Sequence, residues 1–361
     1  MKMSEKTYLI GGHAVKLVLE EPWTFAQLSE KQLEMVARLK AGEDIGVESV
    51  PADRPEQLGV NDALMGKDHM TRERWDTLTD SEKDSFRRAL DMQQYAPFEA
   101  DAPVNPLFTL TVHLGVPEEV EASRPQWKEV TAVDEIPPFY YGYTCGDSTI
   151  YEYKQDKDTP VGLFVMNADY TEGHYYARLR IPRSITALQV NTSLMIQFTF
   201  ATAPLQTLLL HASVTRYKGK ANLFFGVSGT GKSTHSRLWH EYVPESDLMN
   251  DDNPVIRFAD DGECRVYGSP WSGKTMCYRN VQAPVNALVR LEQAPVNEIK
   301  RLAPLNAYAS VVAAVSTIRW NHAIMDSLVP TVERVAMNVP CYQLRCRPDK
   351  EAVEVCKNAI I

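Results

Sequence analysis

The stretch "FFGVSGTGKST", residues 224 to 234, restricts what this chain can fold into more than any other. Gly226, Val227, Ser228, Gly229, Thr230, Gly231, Lys232 and Ser233 complete the pattern G-x-x-x-x-G-K-[ST], with an apolar strand-like run before it and a helical pattern after it. Glycines let the backbone curl so that successive amides point inward. The helix that follows adds its unpaired amides and the positive end of its dipole. The expectation is a strand, a phosphate cradle and a helix in that order. Gly226, Ser228, Gly229, Thr230, Gly231, Lys232, Ser233 and Thr234 are then the nucleotide-binding residues. Lys232 supplies a point charge for the β and γ phosphates, and the Ser233 hydroxyl is placed to ligate magnesium.

A phosphate cradle alone does not make an enzyme. Magnesium needs carboxylates, and transfer to a hydroxyl needs a base for the acceptor's proton. Asp251 and Asp252 stand side by side in "SDLMNDDNPVIRF", eighteen residues and more beyond Ser233. Neighbours at a strand end point different ways, so one acid can face the metal while the other faces the acceptor. A solvated turn before Pro254 is the plain alternative. A second pair, Asp260 and Asp261 in "FADDGECR", has the Asp-Gly signature of a hairpin turn and is given no chemistry. In "YGSPWSGKTMCYR", Gly268 and Gly273 can shape a loop that brings Lys274 or Arg279 toward phosphate, unless both are solvated cations. Trp271 reads as packing. Arg319 and His322 in "IRWNHAIMD" fit either the same mouth or a helix surface.

The chain has 361 residues, more than a single core usually sustains, so two lobes are expected: 1–206 and 207–361. In the first, "TYLIGGHAVKLVL" reads as a strand pair broken at Gly11 and Gly12, and "SEKQLEMVARLKAG" as a helix stopped at Gly42. "LTDSEKDSFRRALDMQQYAPF" reads as a second helix, capped by Thr79, Asp80 or Ser81 and ending before Pro97. The segment between these helices, "GVESVPADRPEQLGVNDALMGKDH", reads as a loop. An antiparallel meander from Pro137 to about Ile181 precedes a helix near residues 185 to 206. In the second lobe, "LLLHASVTRYKGKANLFFG" reads as two strands turned at Lys218 and Gly219, which makes the loop strand antiparallel to its sequence neighbour and the sheet mixed. Beyond it come a strand at "ALVRL", helices around "NEIKRLAPLNAYASVVAAVS" and "WNHAIMDSLVPTVERVA", a strand "CYQLRC" and a last helix begun by Asp349.

Residues 207 to about 290 resemble the carboxykinase-like P-loop kinases, nearest to HPr serine kinase/phosphorylase. The resemblance lies in His211 of "LLLHASV", the loop "GVSGTGKST", the pair in "NDDNP" and the following "YGSPWSGK". It covers only the second half and implies there a mixed-sheet P-loop domain of the phosphoenolpyruvate-carboxykinase type. Residues 1 to 200 do not resemble that kinase's amino-terminal domain. The whole is expected to be an α+β, mixed α/β fold in which a smaller α+β lobe precedes the P-loop domain and chooses the acceptor. The resemblance also implies that Asp251 is the base toward an acceptor serine, that Asp252 helps Ser233 hold magnesium, and that His211 lies near the transferred phosphate. A satisfied strand histidine is the alternative for His211. Thr234 stands where the bifunctional kinase has a glutamate, and "GTGKST" leans toward phosphoenolpyruvate carboxykinase.

The expected function is therefore an ATP- and magnesium-dependent kinase acting on a serine-type hydroxyl of a protein, peptide or small molecule. A carboxykinase-like lyase and a nucleotide-responsive binding module without turnover are the competing classes. A net charge of −9 argues against a nucleic-acid or anionic-membrane binder. Without a signal-like start or a bilayer-length apolar run, a cytoplasmic protein is expected, with a homo-oligomer left open. The six cysteines lack metal-ligand spacing and read as reduced thiols.

Overall fold

The computed structural model describes residues 3–44, 77, 79, 88–132, 139–154, 159–178, 183–273, 275, 277–317 and 321–361. Two mixed sheets carry the fold. The first has eight strands, hydrogen-bonded in the order β1-β2-β5-β10-β9-β8-β7-β6. These are β1 (Met3–Ile10), β2 (His13–Glu20), β5 (Phe108–Leu114), β6 (Lys128–Ala132), β7 (Phe139–Cys145), β8 (Ser148–Lys154), β9 (Pro160–Met166) and β10 (Glu172–Ala177). A small separate pair joins β3 (Trp23–Phe25) to β4 (Arg88–Leu90). The turn between β1 and β2 is the glycine pair, with Ile10 opposite His13 and φ of 57° and 81° at Gly11 and Gly12. Such a turn matches the natural strand twist and suits residues without a Cβ. The expected meander is present as β7 to β10, all antiparallel, and β10 then runs parallel to β5.

The second sheet has nine strands: β11 (Thr207–Leu209), β12 (Ala212–Tyr217), β13 (Lys220–Phe225), β14 (Ser246–Asp252), β15 (Val255–Phe258), β16 (Cys264–Tyr267), β17 (Gln282–Gln293), β18 (Glu298–Arg301) and β19 (Cys341–Cys346). The loop strand β13 lies between antiparallel β12 and parallel β17. Its mixed neighbours follow from the two-residue turn at Lys218 and Gly219, both at positive φ.

Seven helices lie among the described residues: α1 (Glu30–Lys40), α2 (Glu118–Ala122), α3 (Arg183–Thr202), α4 (Lys232–Tyr242), α5 (Pro304–Ala314), α6 (His322–Asn338) and α7 (Lys350–Ile360). Helix α1 starts with a reciprocal Ser29–Gln32 capping box, and Asp349 caps α7. α4 and α7 cover one face of the second sheet through Leu238, Trp239 and Val353, packed with Phe224 and Val289. α5 and α6 cover the other face. α3 contacts β5, β9 and β10 of the first sheet and β11 of the second. Its Val190, Leu194, Phe198 and Phe200 are all buried, so one contiguous core runs from Leu110 and Phe164 to Leu208 and Leu223. Thr186, Gln189, Ser193, Gln197, Thr199 and Thr202 are buried beside them, as expected of a helix packed between two layers rather than on a surface.

Several expectations are corrected. The amino-terminal part is not the smaller one, since residues 1–206 outnumber 207–361. The second expected helix does not continue to Pro97: Arg88–Leu90 is a strand and Pro97 lies inside a 3-10 helix, Gln93–Phe98. Leu90 and Tyr95 are fully buried there, and tertiary packing overrides the local helical pattern. Most of that stretch, its proposed caps at Asp80 and Ser81, and residues 46 to 69 lie outside the described residues. Glu298–Arg301 is an edge strand beside β19, and the helix begins only at Pro304, whose fixed φ suits a first helical position. "LLLHASV" is also not one strand. β11 pairs with β15 and β12 with β13 and β14, and the chain bends between them at His211.

All six cysteines are free thiols. Among the described residues no helix is long and apolar enough to cross a membrane.

Candidate active site at the glycine loop

β13 delivers its last residue, Phe225, directly into the loop, and α4 begins at Lys232. Gly226, Gly229 and Gly231 have φ of 152°, 83° and 96°. A Cβ at Gly226 would also lie 2.9 Å from the Leu291 carbonyl oxygen. These are positions where only glycine is unstrained. Thr230 fastens the turn, its backbone N–H and its hydroxyl both donating to the Val227 carbonyl at 3.1 and 2.8 Å. Gln293 donates to the Gly229 carbonyl at 3.1 Å. The N-cap of α4 is Gly231 and makes no side-chain capping hydrogen bond, whereas α1, α6 and α7 are capped by Ser29, Asn321 and Asp349. α2 and α5 also lack a side-chain cap, but only α4 follows a glycine loop, an arrangement in which leading amides can favour phosphate.

Lys232 folds back over the loop, its ammonium donating to the Gly226 carbonyl at 3.2 Å. Burial draws its pKa below the ordinary lysine value, against the opposing pull of Asp252 and then Asp251.

The two aspartates end β14, paired with β12 so that Asp251 faces Ser213 and Asp252 faces Ala212. Directly opposed residues share a sheet face. The Ser213 hydroxyl donates to Ser236 of α4 at 2.6 Å, so Asp251 points to the face that carries the loop helix. Asp251 is 2% exposed, and its Oδ2 is buried without a hydrogen-bond partner. Asp252 differs on every count. Its φ is 142°, a strained value for a residue with a side chain. Its Oδ1 lies 3.1 Å from His211 Nε2, and its Oδ2 accepts from Asn253 Nδ2 at 2.9 Å. Asn253 is held in turn by the Ser316 hydroxyl at 2.7 Å.

His211 stands where two cavities meet. The first, of about 780 Å³, runs along the loop from Gly226 to Thr230 and is closed by Arg290, Gln293 and Ser310. The second, of about 400 Å³, opens between Asp252, Asn253 and α3. His211 lines both. It reaches this point because the chain leaves β11 and enters β12 there, with its N–H donating to the Ala314 carbonyl at 2.7 Å.

The other sequence candidates separate. Arg279 does not turn toward phosphate: it is 2% exposed and donates to Asp247 at 2.9 Å, to the Gly42 carbonyl at 2.5 Å and to the Leu248 carbonyl. A Cβ at Gly268 would collide with the Arg279 carbonyl oxygen, so this glycine serves a close backbone approach. Trp271 packs on Phe198 and donates to the Tyr95 hydroxyl at 2.9 Å. The Asp-Gly turn joins β15 to β16, with Gly262 at φ 83°. His322 opens α6, and Lys274 and Arg319 lie outside the described residues.

Arg290 was not among the sequence candidates. It sits on β17 beside Phe225 and lines the loop cavity, 3.7 Å from Glu292. Only the parallel pairing of β13 with β17 brings it there, and "ALVRL" carries no local sign of it.

The donors near the loop suit a hard cation. Ser233 offers a hydroxyl, Asp251 an unpartnered carboxylate oxygen, and no cluster of three His, Cys, Asp or Glu that could hold a metal occurs among the described residues. A cation that takes one or two protein oxygens and completes its shell with phosphate and water fits this set.

No curated protein matches the chain. Residues 179–351, which contain α3, the loop, His211, both aspartates and Arg290 but none of the first sheet, match the family described as ScmC, SynChlorMet cassette protein ScmC.

Proposed function

We propose that the chain is an ATP- and magnesium-dependent kinase that transfers the γ-phosphoryl group to a serine-type hydroxyl, as the likeness to HPr serine kinase/phosphorylase implies. The observation that carries this reading is the position of His211, in the wall of both the loop cavity and the cavity beside Asp252. In this reading the loop cavity takes the nucleotide and the other takes the acceptor, with His211 between them and Asp252 beside it.

In this reading the loop amides and Lys232 hold the phosphates, with Arg290 reaching the same cavity. Asp252 accepts the hydroxyl proton as the oxygen bonds to phosphorus and the bond to the ADP oxygen breaks. His211 lies against the transferring group, and Asn253 keeps Asp252 in its strained conformation. Ser233 and Asp251 would hold magnesium, which supplies charge neutralisation at the phosphates when bound. The roles of the two aspartates are thus exchanged relative to the sequence-based expectation. The sheet face shared by Asp251, Ser213 and α4 favours the exchange, as does the contact of Asp252 with His211.

Incubation with γ-labelled ATP and magnesium, followed by analysis of the products, tests the reading. Label in an alkali-stable or alkali-labile phosphate ester of a hydroxyl supports it. Nucleotide-dependent conversion of oxaloacetate to phosphoenolpyruvate, or tight ATP binding with no turnover toward any hydroxyl, contradicts it.

A further inference from the structure

A third cavity, of about 600 Å³, adjoins the glycine loop at Gly229 to Gly231. Thr234 and His235 of α4 form part of its wall, and Cys346, Arg347 and Pro348, which lead from β19 into α7, form another. It shares Gly229 and Gln293 with the loop cavity but not His211. β13, β17 and β19 run parallel and side by side, and they end here at Phe225, Gln293 and Cys346. Ligands collect at the carboxyl ends of such strands.

Arg347 is held in an unusual way for a cation beside a phosphate loop. Its Nε donates to Asp349 at 2.8 Å, its Nη2 to Glu351 at 2.6 Å and its Nη1 to the Pro295 carbonyl at 3.1 Å. Its backbone N–H donates to Asn297, whose own amide donates to Asp349 and Glu351 at 3.0 and 2.7 Å. Each guanidinium nitrogen is thus engaged and the plane of the group is fixed, yet the side chain is 47% exposed. An arginine that grips phosphate keeps its N–H fork for the ligand. What Arg347 still offers is chiefly a flat face, and a guanidinium face stacks on aromatic rings.

We propose that this third cavity takes the flat heteroaromatic base of the nucleotide and that the face of Arg347 stacks on it. The inference rests on the phosphotransfer reading and adds to it the subsite for the base and the residue that grips it. Direction along the loop follows from the transfer step. The terminal phosphate must reach His211 and Asp252, so the opposite end of the nucleotide leaves the loop cavity past Gly229, on the side of Thr234. The phosphates stay on the loop amides and Lys232, which makes base and phosphate contacts separable.

Calorimetric titration with ATP and with inorganic tripolyphosphate, both with magnesium, separates the two sets of contacts. The parent should bind ATP at least about tenfold more tightly than tripolyphosphate, the span expected of one stacked base. Arg347→Ala and Arg347→Lys should each lose about tenfold in ATP affinity, the lysine because it keeps the charge without the plane. Their tripolyphosphate affinity should stay within about twofold of the parent's, which also shows that the variants fold. Tripolyphosphate bound as tightly as ATP by the parent overturns the inference. So does parent-like ATP affinity in either variant, or an equal loss for both ligands. A parent that binds neither ligand would instead overturn the phosphate-cradle reading beneath it.

Discussion

The two ends of β14 hold the same residue type in opposite circumstances. At its beginning Asp247 accepts from Arg216 at 3.1 and 2.6 Å and from the buried Arg279 at 2.9 Å. Burial raises the Asp247 carboxyl, but hydrogen bonds from Arg216 and Arg279 outweigh it and hold the group below its ordinary value. At its end Asp251 keeps a buried oxygen without a partner, and Asp252 adopts a φ that costs energy and touches His211 at the wall of an open cavity. A saturated carboxylate ties structure together. An unsaturated one, or one held in strain, is available to a ligand. Residue type does not separate the two cases, and the partners do.

The contrast is broken most sharply at Asp252. Asp252→Asn should lower phosphotransfer by about a hundred to ten thousandfold while leaving ATP binding largely intact, because a base is needed only for proton transfer. Single-turnover transfer paired with nucleotide titration reads both. Lys232→Ala should cost on the order of a hundredfold or more in rate and weaken ATP as well. Asp251→Asn and Arg290→Met should each act about tenfold, the first on the magnesium dependence of ATP affinity and the second on ATP affinity itself, as expected for one charge-assisted contact. If Asp251→Asn abolishes transfer without altering the magnesium response while Asp252→Asn alters that response, the two roles return to the order first expected from sequence.

The other end of the strand should behave in reverse. Asp247→Ala should change the rate of transfer by less than about twofold yet cost about 3 kcal/mol of stability in urea unfolding, because Arg279 loses its buried partner. The sign of its pH dependence follows from the depressed carboxyl. The stability it contributes is fully present above the unfolded-state value of about 3.9 and is lost as pH falls through the lower folded-state value. Parent and variant stabilities should therefore differ at pH 7 and converge only below about pH 4. A variant as stable as the parent at pH 7 but inactive in transfer would erase the contrast.

Legibility in the sequence followed the range of the interactions involved. The loop was readable because Gly226, Gly229 and Gly231 must adopt conformations that other residues avoid, so the backbone requirement is written in residue type. The turns at Gly11 and Lys218 and the cap at Asp349 were readable for the same local reason. The bend that exposes His211 was not, because it depends on β11 leaving for β15, some fifty residues away in the chain. Arg290 stayed hidden because its place by the loop is set by a parallel pairing that its own neighbours do not announce. The different facings of Asp251 and Asp252 were foreseen from strand alternation. Which acid faces which way required the register with Ser213.

The most direct test of the central claim is ATP binding to the parent chain and to Lys232→Ala, measured calorimetrically with and without magnesium. Saturable binding that strengthens with magnesium and weakens at least about tenfold in Lys232→Ala is the result expected of a phosphate cradle at Gly226 to Ser233. Absence of ATP binding by the folded parent, or equal binding by parent and variant, would contradict it.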